Sequence, residues 1–522
     1  MNSLTLRTTA IPMIWRNALL LGACVLLCDQ LFWNAGVGIN VGLGALCIAI
    51  VLIMRSGVRS MTGRAKSIFA AMLLCAVMIV LQGTTLSVIA TLLLLALFSA
   101  LMLEPTLRSV PAGIAQVLYN FVCVPQAFFE SLVGSVPEKS ASRRGMRWLK
   151  LLFFPIAALV VYYWIYRAAN PKFEALTAGF IDRFMDGFIN IFSNLFSDHG
   201  IFILLLMVLC GALIFKLTPG AIADAERALS DALSRVRVRR LHWKAPLSLN
   251  ALDRERHIGM LLLIMMNAIL LVVNVIDIEW VWFGFVLEEG FSLKQFVHEG
   301  TWLLIISILL SMAIMLRLFR RNLNFHPRAI WLRRAALLWI VQNAVLCISV
   351  CIRNAHYIGF HGLAYKRIAV IAFLVLVLIG LATLAWKIQK QRSAYYLWRV
   401  NGWALVAVIT VMACFNWDVI IVEHNLGHPN PAEIDTDNYL ALSDKVLPIL
   451  HAHEDVVAHQ MEKHGRNREL WTATQDPTVF REGLERRTAS FMERWRAADL
   501  RSWTWAEQRT YDHLLKLTEQ TK

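Results

Sequence analysis

The sequence predicts an all-α protein, a polytopic transmembrane helix bundle of about eleven spans with a small extracytoplasmic helical C-terminal region. Three observations carry this. Hydrophobic residues fill 58% of the 522 positions and charged residues 17%, whereas a soluble domain is roughly half apolar and about a quarter charged. The apolar residues gather into runs near the length of about 20 helical residues that a hydrocarbon core requires. Lys and Arg then fall on alternate connections between those runs. A disordered chain, a disulfide scaffold and an ordinary cytosolic enzyme are thereby excluded.

The runs lie at 17–33, 36–54, 67–82, 85–103, 148–166, 199–216, 257–276, 301–316, 335–352, 368–386 and 402–422. The first lacks a convincing cleavage site and reads as a retained span. With the N-terminus inside, the inner connections hold 31 Lys and Arg and the outer ones hold 7. Basic residues mark cytoplasmic loops, so the expectation is a cytoplasmic (inner) membrane protein with its N-terminus cytoplasmic and its C-terminus extracytoplasmic. The net charge of +15 is not a nucleic-acid signal, because from Glu423 onward there are 13 Lys/Arg against 17 Asp/Glu. The excess belongs to the bundle, and its expected partner is the phospholipid bilayer.

Four parts follow: a bundle over 1–422, an outer amphipathic helix over 173–196, a basic cytoplasmic loop over 217–256 and a helical tail over 423–522. In the second, Leu176, Phe180, Phe184, Phe188, Phe192 and Phe196 recur every four residues, a stripe suited to bundle packing or to the outer leaflet. The third ends a short helix in Arg-Val-Arg-Val-Arg-Arg. Residues 111–134, apolar but interrupted by Pro125, suit an inner-face interfacial or re-entrant segment. In the tail, helical spacing predicts helices over 439–464, 478–498 and 505–519, with Trp471, Trp495, Trp503 and Trp505 as apolar bulk.

No metal and no cofactor is expected. Cys24/Cys28 and Cys347/Cys351 are four apart, but a free buried thiol behaves as a small hydrophobe. His451, His453, His459 and His464 do not follow a metal-binding helix spacing. Polar groups within spans are costly and so are functional candidates. Asp29 stands near the outer end of the first span, Asn267 and Asn274 share a face of the seventh, and Gln342 and Asn343 lie in the ninth. The densest collection is at the outer ends of the last three spans. Arg353, Asn354, His356, Tyr357, His361, Tyr365, Lys366 and Arg367 there face Asn416, Asp418, Glu423, His424 and Asn425. Asp418, close to membrane depth, needs a cation such as Arg367 or Arg353. The cluster fits an ion-paired clasp holding the tail to the bundle, or a ligand or catalytic pocket.

The stretch Asn-Ala-His-Tyr-Ile-Gly-Phe-His-Gly-Leu-Ala-Tyr-Lys-Arg-Ile ending at Ile368 carries a Tyr…Gly-Leu-x-x-x-Arg pattern. An Asn-x-Asp span terminus at Asn416 then leads through Asn425 to Asp437, Tyr439, Leu440 and Pro448. These motifs resemble a bacterial multi-span membrane family known as a domain of unknown function, of the 4173 type and related to the 4153 type. The matched positions are Tyr357, Gly362, Arg367, Asn416, Asp418, Asn425, Asp437, Tyr439, Leu440 and Pro448; Ala364 stands where relatives favour Thr. The resemblance implies a bacterial envelope protein without an assigned activity.

The leading expectation is an envelope scaffold or sensor, more a platform than an enzyme, presenting its helical tail to envelope proteins or lipids. The alternatives are a transporter or lipid exporter and an enzyme like the lipid-linked glycosyltransferases. The first would show inverted repeats and broken helices. The second would need an acidic residue in a large first outer loop, which here is a few residues around Asn34.

Overall fold

A computed structural model describes residues 13–134, 197–217, 220–235, 251–284, 301–320, 322–427, 438–464 and 476–520, with scattered positions between 155 and 177. The expected span over 148–166, the Phe-rich helix over 173–196, the Arg-Val-Arg-Val-Arg-Arg run and Trp471 lie wholly or mostly outside these. Among the described residues the chain is helical throughout, apart from one isolated antiparallel bridge between Ala232 and Arg392.

The chain divides into two compact units, one of Met1–Ala76, Thr91–Leu107 and Ala112–Glu226, the other of Val77–Ala90, Arg108–Pro111 and Arg227–Lys522. The helices up to Arg227 are α1 (Met13–Phe32), α2 (Ile39–Ser56), α3 (Gly63–Gln82), α4 (Thr85–Leu103), α5 (Val110–Gly134), α6 (Asp198–Ile214) and α7 (Ala221–Arg227), of which the end of α3 and the start of α4 fall in the second unit. Helix ends meet in a regular way in the first unit. Asp29 at the end of α1 bonds His199 at the start of α6, Nε2 to Oδ1 2.7 Å, and Trp33 stacks on that imidazole. The opposite ends gather separately, with Lys216 after α6 on Glu104 after α4 at 2.7 Å, and Arg55 near the end of α2 on the Ile214 carbonyl.

α5 corrects one expectation. It continues through Pro125 rather than breaking there. A proline removes one helical hydrogen bond, and the turns that lead up to it are held by packing against α4 and α6. Gly113 lies against Leu97 and Ala100, Gly211 of α6 lies against Val124, and Asn120 donates to the carbonyls of Ala212 (3.1 Å) and Phe215 (3.0 Å).

The second unit adds α8 (Ala251–Asp277), extended by a π-turn over Ile278–Phe283, then α9 (Thr301–Leu318), α10 (Ala329–His361), α11 (Tyr365–Lys390), α12 (Ala394–Met412) and α13 (Trp417–Leu426). Its core is an apolar cluster between α8, α9, α10 and α11, around Leu263, Ile308, Trp339, Cys347 and Leu381. The other face of α8 is bare: Leu261, Ile264, Met265, Ile269, Val272 and Ile276 are all exposed. Only 22% of its apolar window is buried, so that surface needs lipid rather than water around it.

Among the described residues six helices are long and apolar enough to cross a membrane, namely α2, α3, α4, α8 with its π-turn, α10 and α11. α1, α6 and α9 are shorter apolar helices. These mark a membrane protein. The expected straight span over 402–422 is instead two helices, α12 and α13, bent by 61°. Asn416 leaves the helical conformation to cap α13, accepting from the Val419 amide, and Trp417 Nε1 donates to the Met412 carbonyl at 2.9 Å. Both groups satisfy backbone atoms that a helix break would otherwise orphan.

The tail holds α14 (Leu447–Ala452), α15 (Glu454–His464), α16 (Pro477–Arg496) and α17 (Trp505–Gln520), with 3-10 turns at Tyr439–Ala441, Asp444–Val446 and Leu500–Ser502. The expected single helix over 439–464 is thus divided. Pro448 sits in the first turn of α14, where its missing N–H does no harm but blocks helix further upstream. Tyr439, Val446, Leu450, Val457, Phe480 and Phe491 form the core, and Val422 and Leu426 of α13 belong to the same cluster.

Candidate functional site

The candidate cluster is built on the turn between α10 and α11. Gly362 carries φ +75°, and a Cβ there would stand 2.5 Å from Oδ1 of Asn425, so both the backbone conformation and the space call for glycine. Arg367, in the first turn of α11, reaches back to donate to the carbonyls of His361 (2.8 Å) and Gly362. A cation on the last carbonyls of a helix also suits its dipole. The guanidinium lies 4.5 Å from the Tyr357 ring centroid, and Asn354 donates to the Arg367 carbonyl at 3.2 Å.

α13 closes on this turn through two side chains. Buried Asn425 accepts the Leu363 amide at 2.5 Å and donates to the Leu363 carbonyl at 3.0 Å. Asp418 accepts the Tyr365 hydroxyl at 2.5 Å and the Ser443 amide at 3.2 Å. The expected pairing of Asp418 with Arg367 or Arg353 is therefore corrected. Arg367 is turned toward its own helix junction, and Arg353 lies on the face of α10 that meets α8, where it pairs with Asp277. A hydroxyl and an amide bind Asp418 directly, and the cation that its charge acts on is Lys445 rather than an arginine.

The family model of the Domain of unknown function (DUF4153) matches residues 18–453. The chain belongs to this family. No curated protein and no solved structure matches it. The DUF4153 match takes in the whole turn, α13 and the tail up to the junction of α14 and α15. Of the motif positions, Tyr357, Gly362, Arg367, Asp418 and Asn425 converge on the turn, Asn416 caps α13, and Tyr439 is in the tail core. Asp437 lies outside the described residues. Glu423 and His424 are exposed on α13 and stand apart from its buried face.

A further DUF4153 contact escaped sequence reading. Lys445 Nζ donates to the carbonyl of Gly83 (2.6 Å) in the two-residue turn between α3 and α4. Burial pushes its ammonium below the ordinary lysine range, while the carboxylates of Glu507, Asp418 and Asp444 pull it up. Asp444 itself pairs with Arg487 at 2.8 Å and with Arg494, and Arg487 also donates to the carbonyls of Leu440 and Leu442. Nothing in the local sequence distinguishes Lys445 from a solvated lysine. Only the φ of +58° at Gly83 marks its partner as unusual.

The polar residues inside spans form seams. Asn267 of α8 donates to the Ala335 carbonyl at 3.1 Å and accepts from Gln342 at 2.8 Å, and Asn274 donates to the Gln342 carbonyl at 3.1 Å. Asp277 with Arg353, and the Val281 carbonyl with His356 (3.0 Å), continue the line. Residue numbers rise together on both helices, so α8 and α10 are parallel. Asp29 has the His199 partner described above, a residue that sequence reading passed over. Cys28 meets Cys210 across α1 and α6, Sγ to Sγ 3.9 Å. Among the described residues no three His, Cys, Asp or Glu converge as metal ligands would.

Proposed function

We propose that the protein is a bacterial envelope scaffold or sensor in the cytoplasmic (inner) membrane. Its bundle of about eleven spans has a cytoplasmic N-terminus and holds a helical module on the extracytoplasmic side. The observation that carries this reading is what the outer polar cluster is used for. Asn425, Asp418 and Arg367 are engaged with backbone groups and a tyrosine at the α10–α11 turn, which supports a clasp rather than an open pocket. The module then starts with α13, whose Val422 and Leu426 pack with the tail core.

Helix-end pairing supports the alternation of the spans independently of the charge count, which alone says which side is inside. The end of α1 meets the start of α6, and the ends of α2 and α4 meet the end of α6. Parallel α8 and α10 leave one return crossing for α9 between them. That is the alternation that sorts Lys and Arg to one side. The bilayer is the first partner, and envelope proteins or lipids reached through the tail are the second. Kinship with the 4173 type belongs to the same reading.

Alkaline phosphatase fused after Lys522 should be active in cells and a green fluorescent protein at the same site should be dark. The reverse pattern overturns the topology. Solute or lipid flux through purified protein in liposomes would overturn the scaffold reading in favour of a transporter.

A further inference from the structure

We propose that the tail is seated in the bilayer surface, through the turn around Leu500–Ser502, rather than projecting from it. The inference rests on the membrane-spanning reading of α3 and α4 and adds a lipid-binding site to the tail.

The position of the turn follows from Gly83. Only Gly83 and Thr84 separate α3 from α4, both long and apolar enough to cross a membrane. The link between two adjacent crossings must lie at headgroup level, because two residues cannot travel beyond it. A Cβ on Gly83 would stand 3.3 Å from Oγ1 of Thr504 and 3.1 Å from Cε of Lys445. Thr504 therefore marks the depth of its own neighbours, and Trp503 and Trp505 flank it.

The chemistry of those neighbours fits an interface. Leu500 is 83% exposed and Trp505 47% exposed, so the tail's own core covers neither. Trp503 and Trp505 meet edge to face with centroids 6.5 Å apart, and Trp503 Nε1 donates to Gln508 at 3.3 Å. Arg501 and Asp499 pair within the same turn. Exposed Leu and Trp beside a basic side chain are what a protein places between headgroups and acyl chains. In water, such a surface would be an unexplained apolar patch. Other aromatic residues at outer helix ends, Tyr365 (50% exposed) and Phe415 (44% exposed), are of the same interfacial kind. The occupant is thus the bilayer that the spans themselves cross. Here the turn is a peripheral attachment to lipid, added to the contacts of the tail with the α10–α11 and α3–α4 turns.

The test uses the full-length protein in nanodiscs of phosphatidylethanolamine and phosphatidylglycerol, with a nitroxide at L500C or, for comparison, at S490C. Ser490 is exposed on α16 beside Glu493, Arg486 and Glu482. Power-saturation measurements compare collisions with oxygen, which concentrates in lipid, against those with a water-soluble nickel chelate. The oxygen-to-nickel ratio should be about threefold or more higher at position 500 than at 490, as insertion near the acyl boundary implies. Equal ratios would place the turn in water and overturn the proposal. A quencher carried on lipid acyl chains should dim an environment-sensitive dye at L500C but not at S490C. Failure of that quenching overturns it as well. Nanodiscs expose both faces, so these results do not depend on sidedness. An impermeant maleimide that fails to reach S490C on intact spheroplasts would instead overturn the extracytoplasmic tail.

Discussion

Asn425 spends both halves of its side-chain amide on one residue, accepting from and donating to Leu363. Asn425→Ala removes a donor and an acceptor from two backbone groups in a buried setting, a loss of about 2 kcal/mol. The purified variant should melt lower, and its tail should be cleaved sooner by added protease. Gly362→Ala should be at least as harmful in the native background, because its methyl meets Asn425. In the Asn425→Ala background that collision disappears, leaving a strain at positive φ of about 1 kcal/mol. Melting the two singles and the double measures the coupling; simple additivity would mean the two residues do not share a site. The buried Asp277–Arg353 pair has a different signature. Asp277→Asn or Arg353→Gln alone leaves the other charge uncompensated in an apolar setting, at about 3 kcal/mol. Combining them should recover most of that, measured as yield of folded protein in detergent.

At the scale of elements, the apolar runs were legible and the breaks were not. Hydropathy sees α2, α3, α4, α10 and α11 plainly, since length and composition are local. It read through Asn416 because one capping asparagine among apolar neighbours hardly changes a window, yet that side chain ends one helix and starts another. It marks Pro125 as an interruption of 111–134 for the converse reason, a strong local signal overridden by packing against α4 and α6. The polar cluster was found as a set of positions. Its pairings were misjudged because charge complementarity suggested Asp418 with an arginine, where the fold offers Tyr365 and Ser443. His451 gives an element-scale prediction. It joins α14 to α16 through Thr488 (2.9 Å), and burial holds it below the ordinary value of 6.5, against the pull of Glu454 and Glu485. As pH falls past 6.5, the unfolded tail takes up a proton before the folded tail does, so stability falls with pH. Above that value the imidazole is neutral in both states and has no such effect. Melts of the full chain between about pH 7.5 and about pH 5.5 should show a tail transition that drops on acidification. In His451→Gln, which keeps a hydrogen-bonding group near Thr488, the slope should shrink; an unchanged slope would assign it to other groups.

For the molecule as a whole, the tail is held at two separate places. One is the α10–α11 turn, through Asn425 and Asp418, and the other is the α3–α4 turn, through Lys445. The Lys522 fusions and the Leu500 label address, respectively, which side these turns are on and how deep the module sits. The Asn425–Leu363 bond also sets an order of assembly. Its partners are 62 residues apart in the chain, and Leu363 emerges from the ribosome first. The α10–α11 hairpin must therefore wait, its glycine turn open, until α12 has been threaded through and α13 arrives. A nascent chain halted before residue 425 would present an inserted but unlatched hairpin, a natural checkpoint for membrane quality control.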